Sequence, residues 1–325
     1  MPVTQVCYLT PIENPSSLPP MPANAIQLRD VTKSYGAHKA VDTLSLTVPS
    51  GAIYGFIGPN GSGKTSTIRM ILNILEPDSG SIEVLGQTKA RTANDRIGYL
   101  PEERGLYKKM KVASLLEYYA TIKGMPAREA RLEGKRWLEK FDLAAWADKR
   151  IEALSKGMAQ KVQFIATVQT RPELIILDEP FSGLDPVNLE AVRDAILELR
   201  AQGATIVFST HDMAMAEQMC DSILMIYKGQ KVLDGSLKSI KDKYGQDTIR
   251  LRTDRGADAL IDLPEIEYKR DFGNYQEIRV SGDSNDLLAK LLQRARIEQF
   301  EITRPSLHDI FVRIAKPQNE DHSHE

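Results

Sequence analysis

A lysine and a threonine closing a glycine-rich segment are suited to hold a polyphosphate, and Gly58-Pro59-Asn60-Gly61-Ser62-Gly63-Lys64-Thr65, followed by Ser66, supplies them in the G-x-x-x-x-G-K-[ST] spacing. In such a loop successive backbone N–H groups converge on phosphate oxygens, and the start of the next helix adds positive potential. Lys64 then reaches the β and γ oxygens, and Thr65 offers its hydroxyl to Mg²⁺. Asp178-Glu179 brings a second chemistry. At the end of the apolar run Leu174-Ile175-Ile176-Leu177, Asp178 is placed to hold Mg²⁺ directly or through water, and Glu179 to orient and deprotonate an attacking water. The loop by itself implies nucleotide binding. The acid pair turns that expectation into hydrolysis.

The elements that must position these groups are legible around them. Ala52 to Ile57 is an apolar run that reads as a buried strand, and Ile68, Ile71, Leu72 and Leu75 fall on one helical face, so the order is strand, glycine loop, helix. Leu174 to Leu177 reads as a central parallel strand that delivers acids at its carboxyl end. Leu189, Val192, Ile196 and Leu199 mark a helix that Gly203 ends, and Thr205 to Phe208 forms the next strand, with His211 just beyond it. These repeated crossovers predict a doubly wound α/β sheet.

Three further segments carry a family resemblance. Leu154-Ser155-Lys156-Gly157-Met158 resembles the LSGGQ signature of ATP-binding-cassette (ABC) proteins, Ser182-Gly183-Leu184-Asp185 their D-loop, and Ser209-Thr210-His211-Asp212 their switch histidine. Tyr35, in Val31-Thr32-Lys33-Ser34-Tyr35-Gly36, is similar in position to the aromatic that stacks on adenine. The resemblance runs from about residue 26 to 233. It implies a P-loop NTPase cassette with a mostly parallel core sheet, antiparallel β elements and a helical subdomain, using ATP and Mg²⁺. It also implies that Ser155 and Gly157, at a helix start where unpaired N–H groups favour an anion, meet the γ-phosphate held by a second ATPase subunit. Asp185 would link the two halves, and His211 would sense the γ-phosphate.

Some positions depart from the commonest pattern of that family. Glu102 follows Ile97-Gly98-Tyr99-Leu100-Pro101 where most members carry glutamine. A carboxylate there is either a Mg²⁺ ligand or is neutralised by Arg104. Lys156 replaces a glycine, and Met158 replaces a glutamine whose polar contact to nucleotide it cannot make. These variants, with Glu102-Glu103-Arg104-Gly105-Leu106-Tyr107 and the late motif Pro305-Ser306-Leu307-His308-Asp309-Ile310-Phe311, resemble the sodium-extrusion and drug-export branch.

A chain of 325 residues with 42% apolar content can bury a full core and carry a second, small domain. Its formal net charge of -2 supplies no global basic field of the kind nucleic-acid binders use. Two cysteines, Cys7 and Cys220, suit a reducing compartment and make no disulfide framework. No apolar run approaches the roughly 20 residues that cross a bilayer, so a transport path must come from other chains.

Residues 1–25 are expected to be a disordered proline-rich leader, 26–243 the cassette with its helical subdomain at about 106–170, 246–315 a small α+β domain, and 316–325 a flexible tail in which His322 and His324 are solvated. The small domain is read from alternating segments at Thr248 to Leu251, Glu265 to Tyr268 and Glu277 to Val280, a helix near Asp286 to Arg296, and a capping box at Ser306-Leu307-His308-Asp309 before the apolar face Leu307, Ile310, Phe311 and Ile314. No catalytic constellation lies in it, which suits an interaction or regulatory module. Trp137 and Trp146 are read as core of the helical subdomain. The expectation is the ATPase subunit of an exporter, peripheral on the cytoplasmic face of the membrane. It would act as a homo- or heterodimer with integral membrane permease subunits and without nucleic acid. The alternative is a soluble ABC ATPase acting on ribosomes or nucleic acid.

Overall fold

The computed structural model describes residues 23–88, 94–103, 105–244 and 248–315. Arg104, Cys7, His322, His324, residues 1–22 of the leader and the whole tail from 316 lie outside the described residues. A hairpin of β1 (Asn24–Tyr35) and β2 (His38–Pro49) leads into β3 (Ile53–Ile57), α1 (Lys64–Ile71) and β4 (Ser79–Val84). β4 returns to pair with β1, so β2-β1-β4 is an antiparallel sheet.

β5 (Ile97–Leu100), β6 (Leu174–Asp178), β7 (Thr205–Thr210), β8 (Ser222–Tyr227) and β9 (Gln230–Ser236) join β3 in a six-stranded sheet of order β5-β6-β7-β3-β8-β9. The first five neighbours run parallel and β9 is antiparallel. Both faces of this sheet are covered, so its central strands are continuous apolar runs, and the period of two assigns each residue to one face. Ile53, Ile57, Ile175, Leu177, Ile206 and Phe208 pack into one core. Tyr54, Phe56, Leu174, Ile176, Val207 and Leu224 pack into the other, under the antiparallel sheet.

α2 (Val112–Ile122), α3 (Ala127–Lys140) and α4 (Lys156–Val168) lie between β5 and β6 in the chain and bury Leu115, Leu116, Trp137, Leu138, Phe164 and Ile165. Trp137 stacks on Phe141 at 6.0 Å and is buried, whereas Trp146 is only partly so. α5 (Pro186–Ala201) buries Val192, Ala195, Ile196 and Leu199, and Gly203 follows at φ 100°. α1 stops one turn before Leu75, whose N–H instead closes on Arg69 O at 3.1 Å.

α6 (Met213–Met219) follows β7 and α7 (Leu237–Lys243) follows β9. Beyond them β10 (Thr248–Thr253), β11 (Ile266–Asp271), β12 (Gln276–Val280), α8 (Ser284–Leu292), β13 (Ile297–Thr303) and α9 (Leu307–Ala315) complete the described chain. The four strands form an antiparallel sheet of order β11-β12-β10-β13, whose Ile249, Leu251 and Ile278 close on Leu287 and Leu291 of α8. α8 ends at Leu292 rather than Arg296, and β13 replaces the expected continuation. It is an edge strand with no fully buried residue, which blurs its alternation. Leu307 and Ile310 of α9 are fully buried, but in the core shared with β3, β6 and β7 rather than in that of the four-stranded sheet.

Candidate active site

All five residues of β3 are buried, so its carboxyl end fixes where the glycine loop begins. Gly58 has φ 156° and Gly63 φ 111°. A Cβ on Gly58 would stand 2.2 Å from Ile226 O, and one on Gly63 2.3 Å from Ala40 O. Only glycine lets the loop run that close to β8 and β2. Gly58 N–H donates to Thr210 O at 3.4 Å, and Ser62 O accepts from Gly229 N–H at 3.0 Å, which ties the loop to the ends of β7 and β8.

Lys64 opens α1. Its ammonium donates to Gly58 O at 2.7 Å and Pro59 O at 3.2 Å, with only 6% of the side chain exposed. Burial pushes its pKa below the ordinary lysine range, while the carboxylates of Glu179, Asp178 and Glu102 oppose that shift.

β6 delivers the acids. Asp178 is 2% exposed and ends the strand. Its Oδ1 accepts from Ser209 Oγ, and the same hydroxyl accepts from Glu179 N–H at 3.0 Å. Ser209, on the neighbouring strand β7, thus bridges both acids. Glu179 adopts φ 50°, a left-handed conformation that costs a non-glycine residue about 1–2 kcal/mol. That turn directs its carboxylate back to the glycine loop. Oε1 lies 4.0 Å from Lys64 Nζ and 3.0 Å from Nδ1 of His211.

The cleft above the loop has a volume of about 480 Å³ and is lined by Tyr35, His38 and Ala40 on the hairpin, by residues 60–66, and by Glu102 and Glu179. That size suits a nucleotide. Tyr35 is half exposed there, opposite its hairpin partner His38. A second cavity, of about 420 Å³, brings Thr65, Glu102 and Asp178 together. Asp178 Oδ2 is buried without a protein partner, an orphan acceptor on a residue that lines this cavity, and its chemistry suits a cation. No cluster of three or more His, Cys, Asp or Glu that could hold a metal occurs among the described residues. Magnesium does not require one, because it takes one or two carboxylates and leaves the rest to phosphate and water.

Ser155, Gly157 and Asp185 are placed elsewhere. Ser155 caps α4, accepting from Met158 N–H at 3.2 Å, and is exposed. Asp185 caps α5 through Asn188 N–H at 3.0 Å, and that bond holds its carboxyl below the usual range. The two caps are neighbours, since a Cβ on Gly157 would meet Asn188 Nδ2 at 3.4 Å and one on Gly183 would meet Lys156 Nζ at 3.4 Å. None of the three lines the cleft around Lys64.

Sequence reasoning passed over three residues of this arrangement. Ser209 lies inside a quoted motif, but its bridge to β6 appears only when the strands are in register. Gln160, buried in α4, donates to Pro180 O at 2.8 Å and joins the signature helix to the turn after Glu179. His38 faces Tyr35 across the hairpin, a pairing that the intervening Gly36, at φ 59°, could have signalled.

Comparison with known proteins agrees with this geometry. The ABC transporter family model matches residues 41–182, and the model of the C-terminal domain of DrrA1-3-like ATP-binding proteins matches residues 235–315. The chain is 43% identical over 284 residues to YhaQ, an uncharacterised ABC transporter ATP-binding protein of Bacillus subtilis (strain 168), covering 87% of this chain and 95% of that one. It is 32% identical over 314 residues to Nod factor export ATP-binding protein I of Paraburkholderia xenovorans (strain LB400), covering 93% and 100%. A solved structure, that of an ATP-binding subunit of an ABC transporter, superposes with a TM-score of 0.64 at 32% identity, covering 68% of this chain and 93% of that one.

Proposed function

The chain belongs to the ABC transporter ATP-binding proteins and is an ATPase, and from that premise we propose that it powers an exporter whose membrane-spanning path is built by separate chains. Among the described residues no helix is long and apolar enough to cross a membrane. Export is favoured by the similarity to a Nod factor export protein and by the DrrA-like C-terminal domain. The subunit would therefore sit on the cytoplasmic face, against integral partners.

One observation carries the catalytic reading: the Glu179 carboxylate sits between Lys64 and His211 at the mouth of the phosphate loop. Those two groups engage the same oxygen, Oε1. A triphosphate competes for both, since Lys64 and His211 bind its anionic oxygens in preference to a single carboxylate. Glu179 is then released to orient a water in line with the γ-phosphorus and to accept its proton as the bond to the β-phosphate oxygen breaks. Tyr35 would stack on adenine, and the backbone of Gly58 to Ser66 would wrap the phosphates. Thr65, Asp178 Oδ2 and Glu102 would hold Mg²⁺, which when bound offsets the charge gathering on the phosphate oxygens.

Ser155, Gly157 and Asp185 stand apart from the cleft, Ser155 and Asp185 exposed and Gly157 partly so, the arrangement expected of groups that complete a site in a second subunit. Two ATP molecules would close such a pair and hydrolysis would reopen it, moving the membrane chains through contacts that differ between the two states. Steady-state phosphate release tests the core of this reading. Glu179→Gln should bind ATP with near-normal affinity and turn over at least about 100-fold more slowly. Normal turnover in that variant would remove Glu179 from the chemistry.

A further inference from the structure

We propose that α9, the last described helix, positions the switch histidine by bracing α6, with Glu217 as the link. This rests on the reading of His211 as a group that acts on the γ-phosphate. The His211 ring is 58% exposed, so packing around the imidazole does not fix it. Apart from the contact of Nδ1 with Glu179, its placement depends on its backbone. On one side Thr210 ends β7. On the other Asp212 caps α6, accepting from Ala214 N–H at 3.0 Å and Met215 N–H at 3.1 Å while its own N–H donates to Thr210 Oγ1 at 3.0 Å. His211 therefore moves with the axis of α6. That helix has only seven residues, too few to hold a position by its own hydrogen bonds.

β3 supports it from one side, and α9 adds a second brace. Glu217 of α6 accepts from the backbone N–H of Leu307 and pairs with Lys241 of α7 at 3.1 Å. Ser306 and Asp309 close a reciprocal cap, Asp309 N–H to Ser306 Oγ and Ser306 N–H to Asp309 Oδ2, each at 3.1 Å, which directs Leu307 N–H outward to that carboxylate. Below it Leu307 and Ile310 are buried in the same core as Ala216 and Met219 of α6. Phe311 meets the ring of Tyr227, at the end of β8, edge-on at 5.5 Å. Arg304, just before the cap, pairs with Asp242 of α7 at 3.0 Å. The small sheet is thus anchored on α6, the helix that directly follows the switch histidine, as well as on α7 and β8, and a partner that pulls on that sheet acts on His211.

The test measures kcat and KM for ATP in the full chain, together with the affinity for a methylanthraniloyl-labelled ATP. Glu217→Ala and Phe311→Ala should each lower kcat about three- to ten-fold, a coupling of ordinary size, with the labelled nucleotide binding within about two-fold of the parent. Glu217→Gln keeps an oxygen for Leu307 N–H and should retain most of the rate. In a His211→Ala background the same substitutions should cause no further loss, because the group they position is gone. An unchanged kcat in Glu217→Ala overturns the proposal, and this variant, at a partly exposed position, serves if Phe311→Ala fails to fold. So does an equal loss in the His211→Ala background, or a fall in nucleotide affinity that tracks kcat. Full activity of His211→Ala itself would instead overturn the reading of His211 beneath it.

Discussion

Replacing Ser209 by alanine removes one hydroxyl and two hydrogen bonds that set the geometry of both acids. The bond to Asp178 has a charged acceptor and contributes about 1.5–3 kcal/mol, and the bond from Glu179 N–H contributes about 1 kcal/mol. Asp178 is 2% exposed, and its other oxygen already has no protein partner, so water cannot readily replace the hydroxyl. Glu179 would in addition lose the contact that steadies its φ of 50°. If about 1.4–2.7 kcal/mol of this is felt as lost orientation in the transition state, kcat falls about 10- to 100-fold. Nucleotide affinity, which depends on the glycine loop on the adjacent strand, should change little. Phosphate release at saturating Mg-ATP, compared with direct ATP binding, separates the two. Ser209→Thr keeps the hydroxyl on a β-branched side chain that suits a strand and should recover part of the rate. A kcat within two-fold of the parent for Ser209→Ala would refute the argument.

Glu102→Gln should raise the Mg²⁺ concentration needed for half-maximal turnover, whereas an unchanged requirement would remove Glu102 from the metal site. Gly63→Ala puts a methyl 2.3 Å from Ala40 O at a positive φ, and should cost at least about 2 kcal/mol of stability together with nucleotide binding. Melting temperature and ATP titration read both effects, and near-parent values would show that the loop can shift. Burial holds the Lys64 ammonium below its ordinary value of 10.5, and phosphate favours the protonated form. ATP affinity should therefore weaken as pH rises through that lowered value, so a titration that stays flat up to 10.5 would contradict it.

Much of the fold follows from local pattern. β3, β6 and β7 are short apolar runs bounded by glycine or acidic turns, and strands buried on both faces leave that trace in any order of pairing. The cleft residues Asn60 to Thr65 share one segment, so their spacing alone brings them together. Contacts between strands leave no such trace. That Glu179 meets both Lys64 and His211, or that Ser209 bridges two acids, depends on β6 lying beside β7 and β7 beside β3. β13 was obscured because an edge strand needs only one partner and here carries Glu298, Gln299 and Glu301 among its apolar residues. The apolar face and cap of α9 were legible from the spacing of Leu307, Ile310, Phe311 and Ile314. Its partner was not, since an amphipathic face specifies burial but not the surface that provides it.

In the proposed dimer, Ser155 of one protomer closes over a triphosphate cradled by its neighbour. Light scattering on Glu179→Gln at saturating Mg-ATP tests this directly. A mass of twice the 36.3 kDa chain, falling to one chain when nucleotide is removed or when Ser155→Arg is added, is the expected result. A single-chain mass at every nucleotide concentration would contradict it.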